Sequence, residues 1–332
     1  MTHYHLYAIG NALVDSEYEV SDAQLQAMGV DKRHMTLIDT PRRAELLDHL
    51  KAAQPRRTGG GSAGNTVVAL AQLGGQAYYS CQVADDALGD FYAQDLQHWG
   101  VHTNLTHTRA KEGQTGSCMV LVTPDAERSM CTFLGVSAEL NSSALQPAAI
   151  ANSKIYYMEG YLAASPTGLQ AAMDGRAMAV AAGVPLALTL SDVSMIQFCR
   201  AGLDALLGSG VGYLFCNLEE AQVWCGTQDL PQIRQKLQGL AQTVCLTMGA
   251  QGCEVLQFGQ TMHVPAIPVK AVDTNGAGDM FAGCFLFALT QGHTAQQAAT
   301  LANHAAAAVV GQHGNRLTRE QLLHFKAATG LA

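Results

Sequence analysis

Two aspartates six residues apart, Asp273 and Asp279, bracket the stretch DTNGAGD, and between them stand Gly276, Ala277 and Gly278. Beyond Asp279 the chain turns apolar with Met280, Phe281, Ala282, Cys284, Phe285 and Leu286, the texture of a buried helix. The first-turn N–H groups of a helix point outward and carry partial positive charge. A turn stripped to Gly-Ala-Gly lets an anion such as a phosphate reach them without obstruction. The helix dipole favours a carboxylate at the same place. On that ground alone Asp279 reads equally as an N-cap or as a group placed to take a proton beside the anion. The second carboxylate, Asp273, tips the reading toward chemistry.

A competing loop lies upstream. Gly59, Gly61 and Gly64 fit G-x-G-x-x-G by letter. As a dinucleotide fingerprint this is weak, because the preceding QPRRT does not read as a strand. A Walker A loop is absent outright, since the sequence contains no Gly-Lys pair.

The elements that must position these loops alternate. An opening strand is expected over residues 4–14. A helix over 40–53 should start with Thr40 as N-cap and Pro41 at the first helical position. GGGSAGNTVVALAQLGG reads in its second half as a helix closed by Gly74-Gly75, followed by a strand over 76–83 and a helix over 88–99. GSCMVLVT and RSMCTFL, joined by a turn at 124–127, read as a β-hairpin. From residue 154 strands (IYYMEG, PLALTLS, YLFCN, TVCLTMG) alternate with helices over 166–182, 194–207, 218–225 and 231–242. That is the pattern of βαβ units and a parallel sheet covered on both faces. A strand-like approach over 267–272 leads into the DTNGAGD loop, and helices follow over 278–291, 294–310 and 317–327. Residues 12–58 and 104–136 form a small β-rich unit set into one α/β domain made of 1–11, 59–103 and 137–332.

The 332 residues suffice for a large core, and 48% hydrophobic against 14% charged residues excludes a disordered chain. Net charge is −8 and pI about 5.8, with no Lys or Arg block, which argues against nucleic acid and anionic membrane as partners. No apolar run approaches the roughly 18 residues of a spanning helix. The opening MTHYHLYAIGNALVD has neither a basic stretch nor a cleavage site, so no signal peptide is expected. The nine cysteines are scattered without a C-x-x-C pair, as expected for reduced thiols of a cytoplasmic protein. No protein-held metal is expected.

DTNGAGD resembles the D-T-x-G-A-G-D signature of the ribokinase-like (PfkB) carbohydrate and nucleoside kinases, and GGGSAGN resembles that family's second signature, a Gly-Gly pair followed by Asn at a helix start. The likeness spans nearly the whole chain. It implies a ribokinase-like α/β fold, a mostly parallel central sheet with helices on both faces plus a small β-rich lid. It implies an ATP-dependent phosphotransferase, with Mg2+ carried on the nucleotide, and admits a monovalent cation beside the DTNGAGD loop. Residue by residue, Asp279 resembles the general base, Gly276, Ala277 and Gly278 the anion hole, and Asp273 and Thr274 the shapers of that loop. Gly60 and Gly61 resemble the lid hinge; Asn11, Asp15 and Asn65 resemble ligands of sugar hydroxyls. Asn217 and Glu220 resemble the N-x-x-E element that orders water around Mg2+, although a strand-end Asn capping a helix reads as well. Thr247, Gly249 and Gly252 resemble a nucleotide-phosphate turn, and Asn303 lies where adenine is expected. Gly314-Asn315 departs from the usual Gly-Ala.

Within the family the adenosine-kinase-like branch is the nearer likeness, through GNALVD and RSM. By that likeness Arg128 contacts the transferring phosphate, while Leu13, Met130 and Tyr161 offer an apolar wall and a stacking ring to a base. A purine nucleoside is the expected acceptor, with a ketose, ribose or sugar acid as the alternative. A non-catalytic nucleoside-binding protein on the same fold is a third reading, against which the intact Asp279 argues. The chain is expected to act as a monomer or as a homodimer paired through the lid.

Overall fold

A computed structural model describes residues 3–125 and 127–331. Nine strands form the large sheet, in the spatial order Gln260–Val264, Cys253–Gln257, Ala241–Thr247, Val211–Asn217, Leu186–Thr189, Tyr156–Glu159, Leu6–Ile9, Ala77–Ser80 and His102–Thr103. All neighbours pair parallel except at one edge, where Cys253–Gln257 runs antiparallel both to Ala241–Thr247 and to Gln260–Val264, with which it forms a hairpin. The parallel strands carry apolar side chains on both sides, and helices cover both. One face packs against Ser62–Gln72, Ala277–Thr290 and Ala295–Val310. The other packs against Pro166–Ala181, Arg200–Leu207 and Leu230–Gln238. Among the described residues no helix is long and apolar enough to cross a membrane.

A five-stranded second sheet runs in the order Met35–Leu37, Arg128–Phe133, Ser117–Val122, Leu13–Glu19 and Arg56–Gly60. The helices Asp22–Ala27 and Thr40–His49 cover its outer face, where Tyr18, Met119, Leu121 and Cys131 meet Leu25 and Leu46. Register fixes the other face. Asp15 pairs with Cys118, Cys118 with Thr132, and Met130 with Met35. Side chains alternate along a strand, so Leu13, Asp15, Glu17, Arg128, Met130, Met35 and Leu37 share one face, turned toward the large layer.

Several expected boundaries move. The opening strand is two, Leu6–Ile9 in the large sheet and Leu13–Glu19 in the small one, because Gly10 brings the backbone against Glu159, where a Cβ would sit 2.4 Å from Oε2. Arg56–Gly60, expected as loop, is a strand at the edge of the small sheet, where exposed arginines suit an edge. The expected strand over 267–272 does not form. Pro265 and Pro268 lack ladder donors, and the segment ends with the N–H groups of Val272 and Asp273 on the carbonyl of Val310. The expected helix over 194–207 breaks into Val193–Phe198 and Arg200–Leu207 at Cys199. Asp39, not Thr40, caps the helix Thr40–His49, its carboxylate accepting from the Arg42 N–H. The hairpin Cys253–Gln257/Gln260–Val264 was not expected. Residues 104–110 stay with the large layer, for the Asn104 side chain bonds both backbone groups of Cys81 and Ala84 bridges to Ala110. Ala126, in the expected turn at 124–127, lies outside the described residues. The expected hairpin itself is present, Ser117–Val122 against Arg128–Phe133.

Candidate active site

Two helices begin side by side on glycines. Ser62–Gln72 starts after Gly61 (φ 85°) and Ala277–Thr290 after Gly276 (φ 76°), neither with a side-chain cap. They pack closely because Gly283 has no Cβ, which would fall 2.5 Å from the Thr66 carbonyl oxygen. Asp279, third in its helix, does not cap it. Ser62 Oγ donates to its Oδ1 at 2.6 Å and Asn65 Nδ2 to its Oδ2 at 3.0 Å. Burial pushes the Asp279 carboxyl up to about 6, against the pull of those two donors. A base with that affinity for protons is ionised at neutral pH yet able to take one. The turn ahead of it stays open, since a Cβ on Gly278 would meet nothing within 4 Å. Bare N–H groups and clear space fit an anion.

The small sheet brings Asp15 to this place. Asp15 lies over Gly60, where a Cβ would be 2.6 Å from Oδ1, and it accepts from Asn315 Nδ2 at 3.2 Å. Burial raises its carboxyl to about 7, opposed by Arg316, with the charge of Asp279 adding to the rise. Asn11 is buried in the crossing between the sheets. Its carbonyl accepts from Tyr79 Oη at 2.9 Å, and a Cβ on Gly61 would lie 2.1 Å from that carbonyl oxygen. Sequence reasoning missed the residue beneath it, Glu159. Its carboxylate is fully buried and accepts from the N–H of Asn11 at 2.7 Å and of Ala63 at 2.8 Å. The first two crossings of the chain between the sheets, at Asn11 and at Ala63, are thus tied to one side chain, whose pKa burial lifts to about 7. The signal was an acidic residue ending the apolar run IYYM.

Arg128 reaches out of the small sheet to the DTNGAGD loop. It pairs with Asp273, with Glu17 at 2.9 Å and with His313 Nδ1 at 3.3 Å. Asp273 is therefore engaged, accepting also from the N–H groups of Asn275 and Gly314. It shapes the loop, and the Thr274 carbonyl, accepting from Ala277 N–H at 3.3 Å, closes the turn. Leu13 and Met130 are half-buried on the inner face, and sequence reasoning missed Met35 (47% exposed), which pairs with Met130, and Leu37 (60% exposed). Leu37 and Thr132 continue into a cavity of about 600 Å³ bounded by Phe133, Leu134 and Val136. Tyr161 follows the strand Tyr156–Glu159, with its hydroxyl donating to the Ser191 carbonyl at 3.4 Å.

Further along the same sheet edge, Asn217 caps the helix Leu218–Cys225 in a reciprocal box with Glu220. Burial raises Glu220 to about 7. Thr247 ends its strand, and Gly249 (φ 55°) and Gly252 (φ 91°) turn the chain into the edge hairpin; a Cβ on Gly252 would be 2.2 Å from the Val264 carbonyl. Asn303 is buried, and its Nδ2 serves the carbonyls of Val264 and Pro265, both at 3.1 Å. That amide braces the hairpin. His98 and His102 are four apart, but the helix ends at His98 and the His102 ring meets Tyr4. Among the described residues no cluster of His, Cys, Asp or Glu is arranged to hold a metal.

Residues 29–322 match the pfkB family carbohydrate kinases. The chain belongs to that family. It is 34% identical to an adenosine kinase from Sinorhizobium meliloti, over 98% of this chain and 100% of that one, with a TM-score of 0.88. It is also 34% identical to a probable sugar kinase from Rhizobium etli CFN 42, over 100% of both chains, with a TM-score of 0.87. A mouse ribokinase is 31% identical over 238 residues, 69% of this chain and 71% of its own. As a pfkB-family kinase the protein is a phosphotransferase that uses ATP to phosphorylate a hydroxyl group of a small molecule, and its fold is ribokinase-like.

Proposed function

We propose that the protein transfers the γ-phosphoryl group of ATP to the primary hydroxyl of a purine nucleoside such as adenosine. The observation that carries this reading is the inner face of the small sheet. Met35 and Leu37 stand exposed, with Met35 paired to Met130, on the face that Asp15 and Leu13 share across the sheet. A bare sugar has little to gain from such a wall, whereas a base gains roughly 25 cal/mol for each Å² of apolar area buried. Asp15, Asn11 and Asn65 serve the ribose hydroxyls and leave the 5′-hydroxyl toward Asp279. As the new oxygen–phosphorus bond forms, Asp279 takes the hydroxyl proton and ADP leaves with the electrons of the broken bond. The N–H groups after Gly276 and the Arg128 guanidinium stabilise the charge on the phosphoryl oxygens.

Bound Mg2+ would neutralise phosphate charge on the nucleotide. Glu220 keeps lone-pair sites beyond the two that Asn217 fills, so it fits a role in ordering water there while Asn217 caps. Thr247, Gly249 and Gly252 flank the phosphates in this reading. The small sheet acts as a lid, with the crossing at Gly60–Gly61 as hinge; structures with and without acceptor in which the Gly61 dihedrals do not change would remove that role. The cytoplasm suits the nine unpaired thiols, eight of them buried.

The test is kcat/KM for adenosine, inosine, 2′-deoxyadenosine, ribose and fructose with Mg·ATP. Adenosine should lead. A site of buried hydroxyl ligands rejects the analogue lacking one far more than it rejects a change on the base, so 2′-deoxyadenosine should fall well behind inosine. The equal likeness to a probable sugar kinase favours a second reading, a sugar acceptor. A free sugar leading the series by tenfold or more would establish it and end the nucleoside reading.

A further inference from the structure

Two amide oxygens near Asp279 and Asp15 are buried with no hydrogen-bond partner in the protein, Asn65 Oδ1 and Asn315 Oδ1. The first belongs to a residue already placed at the acceptor. The second does not. Asn315 is 4% exposed and follows the helix Ala295–Val310, 300 residues from Asp15 along the chain. Its Cβ fills the space next to the bare turn, 2.6 Å from where a Cβ on Gly276 would stand. Its Nδ2 donates to Asp15 Oδ2 at 3.2 Å. The side chain therefore links the turn to the carboxylate, with its oxygen unused. Buried polar atoms left without partners are unfavourable and uncommon, and a ligand hydroxyl is one of the few groups that can relieve them.

We propose that Asn315 is a specificity-determining residue of the acceptor site: Nδ2 holds the Asp15 carboxylate in place, and Oδ1 accepts a hydrogen bond from an acceptor hydroxyl. With a vicinal diol bound, one hydroxyl donates to Asp15 and its neighbour to Asn315, so the amide oxygen gains the partner it lacks within the protein. An acceptor lacking one of those hydroxyls leaves the amide oxygen unpaired. The inference rests on the reading of Asp15 as a hydroxyl ligand and adds to it a residue from the other side of the site.

The experiment compares wild type with Asn315→Ala and Asn315→Asp, measuring kcat and KM for adenosine, 2′-deoxyadenosine and ATP, with a thermal melt of each. Asn315→Ala should raise the adenosine KM about tenfold to a hundredfold. It should leave the ATP KM near that of wild type and narrow the preference for adenosine over its 2′-deoxy analogue about tenfold. Asn315→Asp has nearly the same shape but sets a second carboxylate against Asp15, so it should weaken acceptor binding at least as much. A structural role alone would lower the melting temperature and leave the preference ratio unchanged. Wild-type KM and ratio in both variants would overturn the proposal. The wild-type ratio separately tests the nucleoside reading: if a sugar is the true acceptor, the same variants are read on that sugar and its deoxy analogue.

Discussion

Two helices start from the same edge of the large sheet and treat their first turns in opposite ways. In Leu218–Cys225, Asn217 accepts from the Glu220 N–H at 2.8 Å, and Glu220, third in the helix, returns its carboxylate to the Asn217 N–H and amide. In Ala277–Thr290 the cap position is Gly276, and the third residue is again acidic, Asp279. Here the carboxylate turns away from its own helix to Ser62 and Asn65. The same acid at the same helical position closes one turn and leaves the other bare. A closed capping box satisfies the orphan N–H groups internally; a bare start keeps them for an anion. Asp279 is freed to act as a base by donors on a neighbouring helix.

The sharpest break of this comparison is Asp279→Asn. Shape and the Ser62 contact survive, but the proton acceptor is gone, so kcat should fall about 10²- to 10⁴-fold with both KM values near normal. A loss below about tenfold in kcat would return Asp279 to the role of its counterpart Glu220, a structural acid. The wild-type pH profile sharpens the point. The base must be ionised, and its pKa is raised to about 6, so the rate should climb as pH rises through about 6 and level off above. An acidic limb centred near 4 would mean that burial does not tune this carboxyl.

Filling the bare turn comes next in size. A methyl group on Gly278 meets nothing within 4 Å of the Cβ, so Gly278→Ala should fold at least as well as wild type, with alanine the better helix former. The same methyl occupies the approach of the phosphate to the N–H groups. We expect kcat/KM for ATP to drop at least about tenfold, the scale on which lost anion-hole donors act, with the melting temperature unchanged or higher. Wild-type kinetics in this variant would show that the open turn is merely open.

How much of this was legible in the sequence depends on distance along the chain. The bare turn, the Gly60-Gly61 pair and the Asn217–Glu220 box are local, and their residue types announce them. An acid ending the run IYYM marks Glu159, but its role was not legible, because its partners Asn11 and Ala63 lie 148 and 96 residues away. Nor was the engagement of Asp273 by Arg128, 145 residues off. Met35 and Leu37 came to the site through the pairing of a three-residue strand with Arg128–Phe133, and so short a strand carries no period of its own. The segment 267–272 misled in the other direction. Its apolar residues suggested a strand, but Val269 packs over Gly311 and the prolines deny it a ladder.

The smallest expected effect tests the closed member of the pair. Asn217→Ala removes the cap oxygen and the amide that holds Glu220, and loss of such a cap costs about 1 kcal/mol. In a chain of this size that is a fall of a few degrees or less in melting temperature. The Asp279 side of the site is untouched, so kcat at saturating Mg·ATP should stay within about threefold of wild type, since only a water-ordering contact is loosened. If Glu220 orders water around the metal, the Mg2+ concentration for half-maximal rate should rise, because a freed carboxylate samples other rotamers. The two helix starts then separate cleanly: substitution at the capped one registers in the melt, substitution at the bare one in turnover. A kinetic loss in Asn217→Ala as large as that in Gly278→Ala, with no change in melting temperature, would erase the distinction and make both turns part of the reacting site.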